Sequence, residues 1–147
     1  MHDLIVIGAG LTGLMAAYTA AKAGLKVKVI AKGLGALHWS AGTVDVLGYY
    51  PDERAPVERP LQTIQELSQA RPQHPYALLN GIELKNALQT FSSLAKDIGL
   101  PYLGNADVNL SLPSPVGAAR PTFLVPLAQI TGDLSRTEPA HRRDLPR

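Results

Sequence analysis

Six residues near the start, Gly8-Ala9-Gly10-Leu11-Thr12-Gly13, constrain this chain more than any other stretch. Glycines at that spacing fit a tight turn that carries a strand into a helix, and the flanks supply both. Leu4-Ile5-Val6-Ile7 is a short, apolar, β-branched run of the kind expected for a strand buried on both faces of a parallel sheet. From Leu11 to Ala23 the residues are mostly good helix formers, and Gly24 supplies a stop. Lys26 to Ile30 then alternates as a second strand, so strand, glycine turn, helix and strand follow within about 30 residues, the size of a βαβ unit. In such a unit Gly8 allows the turn, Gly10 lets the backbone approach a pyrophosphate, and Gly13 lets the helix lie close to the strand, with Ala17 keeping that contact close one turn on. The N–H groups around Leu11, Thr12 and Gly13, at the positive end of the helix dipole, make an anion site without a charged side chain. A dinucleotide or flavin phosphate is the expected ligand, the plainer reading being a purely structural turn.

The fingerprint lacks one part. An acid that holds the adenosine ribose is expected at the end of the second strand, roughly 20 residues past the glycines. Ala31 stands there, and Lys32 follows. Three readings stay open for Lys32: a cation beside a ribose 2′-phosphate, a neighbour of a cofactor whose ribose is absent or held otherwise, or a solvated loop lysine. The next segment, Gly33 to Gly42, is built of small residues around a single His38-Trp39 pair, which suits a backbone lying against a ligand.

Composition removes several classes. The 147 residues are one ordinary domain's worth, enough to bury a core but short of a complete two-domain redox enzyme. With 46% hydrophobic and 18% charged residues, the chain is globular rather than disordered. The balance of 14 Lys+Arg against 12 Asp+Glu, with no basic run interleaved with aromatics, argues against nucleic acid as a partner. The absence of cysteine removes disulfides, thiolate metal sites, iron–sulfur ligation and cysteine nucleophiles, and no metal site is expected. Leu4 to Ala21 is 18 residues without a charge, but Asp3 precedes it and Gly8, Gly10 and Gly13 interrupt it, so neither a membrane span nor a signal peptide is expected.

All 12 prolines lie at Pro51 or later and 8 of the 13 glycines at or before Gly48, which places a boundary near residue 50. No acid occurs between Asp3 and Asp45, so the first part is locally basic. Pro51 to Pro60 mixes both charge signs with three prolines and reads as an exposed connection. A short helix is expected over Leu61 to Ala70. From Leu84 the stripe Ala87, Leu88, Phe91, Leu94, Ala95 and Ile98 gives the core face of an amphipathic helix ending near Gly99. Val108 to Leu112 and Thr122 to Val125 read as two strands joined by a loop that carries Arg120.

Several of these stretches carry a resemblance: the glycine turn, Ala36 to Leu47, His74-Pro75-Tyr76, and Leu112 to Pro126 with Val116-Gly117-Ala118-Ala119-Arg120-Pro121-Thr122 at its centre. On them the chain resembles the flavoproteins of the succinate dehydrogenase and fumarate reductase group, and within it a flavin-binding subunit family of quinone-linked glycerol-3-phosphate dehydrogenases. The resemblance implies an α/β fold. Residues 1–50 would form the N-terminal βαβ unit of a Rossmann-like FAD/NAD(P)-binding fold, and residues 51–136 part of an α+β substrate (cap) domain. Residues 137–147, where the family pattern stops, would be a disordered tail of a truncated chain.

It also implies a flavin cofactor, FMN with FAD as the alternative, and oxidation of glycerol 3-phosphate to dihydroxyacetone phosphate with electrons passed towards quinone. The implied partners are a second flavoprotein subunit and an iron–sulfur subunit, in the cytoplasm at the inner face of the membrane, with no span of the chain's own. FMN would suit Ala31, because FMN has no adenosine ribose to hold. Expected cofactor contacts are Gly8, Gly10, Leu11, Thr12, Gly13, Ala31, Lys32, Ser40, Ala41, Gly42 and Thr43, the last four because hydroxyls and N–H groups on small residues reach ligand oxygens; a plain turn is the alternative there. His38 is read as a packing or hydrogen-bonding residue before a proton shuttle, and Trp39 as a wall. Arg120 is either a grip for an acidic ligand or a surface arginine. No catalytic residue is assigned. An NAD(P)-linked oxidoreductase and a non-catalytic flavoprotein fragment are the competing functions, and length leaves open whether the chain is an enzyme alone.

Overall fold

The run Leu4-Ile5-Val6-Ile7 forms a strand, β1 (Leu4–Ile7), and the chain turns at Gly8 into α1 (Leu11–Lys22) before returning as β2 (Val27–Ile30). In this computed structural model, which describes residues 1–52, 54–79, 81–104 and 107–135, β1 and β2 pair in parallel with Leu4 opposite Val27 and Ile7 opposite Ile30. The ladder extends one step further, the Gly8 N–H donating to the Ile30 carbonyl at 2.8 Å. Helix α1 ends as its sequence requires: Gly24 N–H bonds to Ala21 and Leu25 N–H reaches back to Ala20, closing its last carbonyls. The βαβ unit is thus present as expected. Burial of β1 on both faces is not: only Val6 is half-buried, and Ile7 is 87% exposed. Among the described residues β1 has one strand neighbour, so an apolar run suited to the middle of a sheet stands largely open.

The chain separates into two compact units, Met1–Gly42 and Thr43 onward, whereas composition shifts near residue 50. In the second unit α2 (Pro60–Ala70) begins with proline, whose missing N–H costs nothing in a first turn, and buries Ile64 and Leu67 on one side. α3 (Gly81–Asp97) follows, ending where Gly99 N–H bonds to Lys96 and Leu100 N–H to Ala95. Its apolar stripe is only partly core: Ala95 is buried, Leu88, Phe91 and Leu94 are half-buried, and Ala87 and Ile98 are exposed. Phe91 packs edge-on against Tyr102, with ring centroids 4.9 Å apart.

Four short strands complete the unit. β3 (Tyr102–Leu103) pairs antiparallel with β6 (Val125–Pro126), and β4 (Leu110–Pro113) with β5 (Ala119–Thr122). β5 begins three residues earlier than the sequence suggests, so Arg120 lies in a strand opposite Leu112, not in a loop. The cause is a tight connection: Ser114 N–H bonds to Ala118 and Gly117 N–H to Ser114, which leaves the chain free to resume pairing at Ala119. Pro121 sits in the same strand, tolerated because β5 pairs along one side only. The core gathers Leu110, Leu112 and Val125, with Ile130 packed against them. Pro51 to Pro60 is more anchored than an exposed connection. Val57 and Pro60 are buried, and Asn109 Nδ2 donates to the carbonyls of Leu47 and Val57 at 2.9 and 2.8 Å. The expected tail, 137–147, lies outside the described residues.

Candidate functional site

Each glycine of the first turn answers to a different demand. Gly8 has φ +108°, a backbone conformation that side-chain-bearing residues rarely adopt. Gly13 sits so close to β1 that a Cβ there would lie 2.2 Å from the Gly8 carbonyl oxygen. Gly10 answers to neither: its φ is −73° and a Cβ would meet nothing within 4 Å. Space in front of Gly10 is therefore not used by the chain itself. Gly10 is the N-cap of α1 and offers no side chain to cap it, so the N–H groups of Leu11, Thr12 and Gly13 at the helix start are left for another acceptor, while Leu14 N–H is the first to bond back, to Gly10. No acid lies in the first turn of α1, which keeps the positive end of the dipole uncompensated.

The second small-residue segment is drawn onto the first. Gly35, at φ +61°, lies against Gly10, and a Cβ on it would come within 3.3 Å of the Gly10 Cα. Gly35 is thus part of the turn's surroundings, a role that the sequence signals only as one small residue among many. Ala31 and Lys32 follow the end of β2, both exposed. His38 and Trp39 lie in a short 3₁₀ turn with ring centroids 5.0 Å apart, and Trp39 is 83% exposed. The Ser40 hydroxyl donates to the Leu37 carbonyl and accepts from the Gly42 N–H, so its bonding is local, as in a turn. Ala41 and Gly42 follow it, Gly42 at φ +76°.

Thr43 opens the second unit. Its hydroxyl accepts from Arg120 Nη2 at 3.1 Å, while Arg120 Nη1 pairs with Asp45 Oδ2 at 2.5 Å. Asp45 was not foreseen as a site residue, although it ends the acid-free stretch from residue 4 to residue 44. The segment around it is fixed by further bonds: Val44 and Leu124 exchange both backbone bonds at 2.9 Å, and the Tyr76 hydroxyl donates to the Val46 carbonyl. Burial pushes the Tyr76 phenol above its ordinary pKa. Among the described residues, no group of three or more His, Cys, Asp or Glu side chains could hold a metal ion, and no helix is long and apolar enough to cross a membrane.

A strand, a glycine turn whose N–H groups open at a helix start, and a second parallel strand define a nucleotide-binding unit, and the chain belongs to the FAD binding domain family, which matches residues 3–143. Its cofactor class is thereby a flavin. The chain resembles the B subunit of anaerobic glycerol-3-phosphate dehydrogenase from Yersinia pseudotuberculosis serotype I, at 35% identity over 137 residues, covering 90% of this chain and 32% of that protein. The protein of the same name from Pectobacterium atrosepticum is 31% identical over 134 residues, covering 91% of this chain and 32% of that protein. That of Aliivibrio fischeri strain MJ11 is 37% identical over 123 residues, covering 83% and 27%. The chain spans about a third of the length of these relatives. No solved structure is a significant match.

Proposed function

We propose that this chain is the flavin-binding portion of an oxidoreductase that oxidises glycerol 3-phosphate. The observation that carries the flavin site is Gly10: neither its backbone angles nor its neighbours require glycine, and it faces open space beside three helix-start N–H groups. A pyrophosphate or phosphate resting there would accept from Leu11, Thr12 and Gly13, with Gly8 and Gly13 holding the turn in shape. The flavin, when bound, supplies the two-electron acceptor. The chain's own residues bind and orient it: the glycine turn holds the phosphate, Gly35 keeps the opposing wall thin, and Ala31, Lys32 and Ser40 to Thr43 are the further contacts we assign.

FAD is the cofactor we favour, on the strength of the family. FMN is the second reading, favoured by Ala31, which offers no carboxylate to an adenosine ribose. Substrate and partners follow from the names of the relatives, which are dehydrogenase subunits acting on glycerol 3-phosphate. We assign to this chain a second flavoprotein subunit and an iron–sulfur subunit as partners, with electrons passed onward to quinone at the inner face of the membrane. The test is to load the chain with FAD and with FMN in turn, record the visible spectrum, then release and chromatograph what is retained. Retained FAD with visible flavin bands is the expected result. Retained FMN alone supports the second reading, and binding of a nicotinamide cofactor without flavin bands would replace both.

A further inference from the structure

The segment from Thr43 to Asp45 is extended, because Val44 is locked to Leu124 by a bond in each direction. Alternation along an extended chain then puts Thr43 and Asp45 on the same side, away from Val44. Arg120 meets both from β5. One arm of its guanidinium takes the Asp45 carboxylate and the other donates to the Thr43 hydroxyl. The side chains of Arg120 and Asp45 are 31% and 42% exposed, so the pair contributes little to stability as a salt bridge. Its effect is directional. The planar fork cannot bind Asp45 and rotate freely, so its second arm stays aimed at Thr43.

A threonine hydroxyl has one proton to donate and lone pairs to accept with. Arg120 is a donor only, so the bond to it uses the acceptor side of Thr43. Among the described residues, nothing accepts the Thr43 proton. We propose that Arg120 is a positioning residue which, held by Asp45, fixes the Thr43 hydroxyl as a donor towards an acceptor on the bound flavin, one of the ring carbonyl oxygens or nitrogens or a phosphate oxygen. This rests on the reading of Thr43 as a flavin contact. The Asp45 carboxylate offsets the guanidinium charge, which favours holding Thr43 over gripping an anionic substrate directly.

The test is an FAD titration of the full chain, followed by flavin fluorescence, for the wild type and for T43S, T43V, R120K, R120Q and the double variant T43V/R120Q, with the melting temperature of each. T43V is expected to weaken FAD binding about tenfold, the worth of one well-placed hydrogen bond, and T43S, which keeps the hydroxyl, by less than about threefold. R120K retains a cation for Asp45 but lacks the fork, and is expected to weaken binding about as much as T43V with its melting temperature unchanged. Because both variants remove the same bond, the double variant should bind no more than about threefold worse than T43V alone. Wild-type affinity in R120K, or a loss of about a hundredfold in the double variant, overturns the positioning role while leaving the flavin site standing. If R120Q does not fold, R120K alone decides. Failure of the wild-type chain to bind FAD overturns the flavin reading, and this proposal with it, before any variant is compared.

Discussion

Gly13 cannot carry a side chain where it stands, since a Cβ would lie 2.2 Å from the Gly8 carbonyl oxygen, and both atoms belong to backbone that has little room to give. G13A must push α1 off β1. The expected cost is about 1–3 kcal/mol, the usual penalty for overpacking, seen as early melting of residues 1–42 and loss of flavin together. Gly10 gives the opposite pattern. A methyl group there meets no atom of the chain and suits φ −73°, so G10A is expected to cost less than about 1 kcal/mol, the difference between glycine and alanine as an N-cap. It should still weaken flavin binding more than tenfold, because the methyl group fills the space that the phosphate needs. Melting curves and flavin titrations of the two variants side by side separate these effects; G10A binding flavin as tightly as wild type would remove the role given to Gly10.

Elements differ in how clearly they were written in the sequence. α1, α2 and α3 were legible because helix propensity, a proline start and a repeating apolar face are local signals. The boundary of β5 was not, because Ala119-Arg120-Pro121 lacks strand propensity and pairs only because the connection after Ser114 is tight and Leu110 to Pro113 lies opposite. The segment carrying Val46 also depends on distant partners, above all Tyr76, whose phenol donates to the Val46 carbonyl thirty residues earlier in the chain. Burial raises the pKa of this phenol in the folded chain above the ordinary value of 10.0. The folded state therefore holds its proton more tightly than the unfolded chain. The stability this adds is fully present below pH 10.0 and is lost as pH rises through the higher folded pKa. A melting series from pH 8 to pH 11.5 is expected to fall at its alkaline end, and Y76F, with no proton to lose, is expected to fall less steeply there; equal slopes would remove Tyr76 as the cause.

Across the whole molecule, the phosphate-binding turn was readable because its chemistry is contained in six consecutive residues, whereas the Thr43, Asp45 and Arg120 cluster was not, since its members stand up to 77 residues apart and only strand pairing brings them together. The same contrast appears in stability. None of residues 1–42 is buried, and Ile5, Ile7, Val29 and Ile30 are exposed on β1 and β2, while residues 43–135 bury Val57, Ile64, Leu67, Leu112, Phe123 and Val125. A unit without a buried residue opens at little cost, so its backbone amides should exchange with solvent rapidly even though the β1–β2 ladder is complete. A ligand that binds only the closed form adds stability in proportion to the logarithm of its concentration over Kd, about 2.7 kcal/mol at one hundred times Kd. Amide exchange at β1, β2 and the start of α1 is therefore expected to slow about a hundredfold when FAD is added at that excess, while the amides of β4 and β5 change far less. Hydrogen–deuterium exchange followed by mass spectrometry reads both regions in one experiment. Equal slowing in β4 and β5 would mean that the flavin stabilises the chain as a single cooperative body, and no slowing in β1 or β2 would mean that the glycine turn is not where it binds.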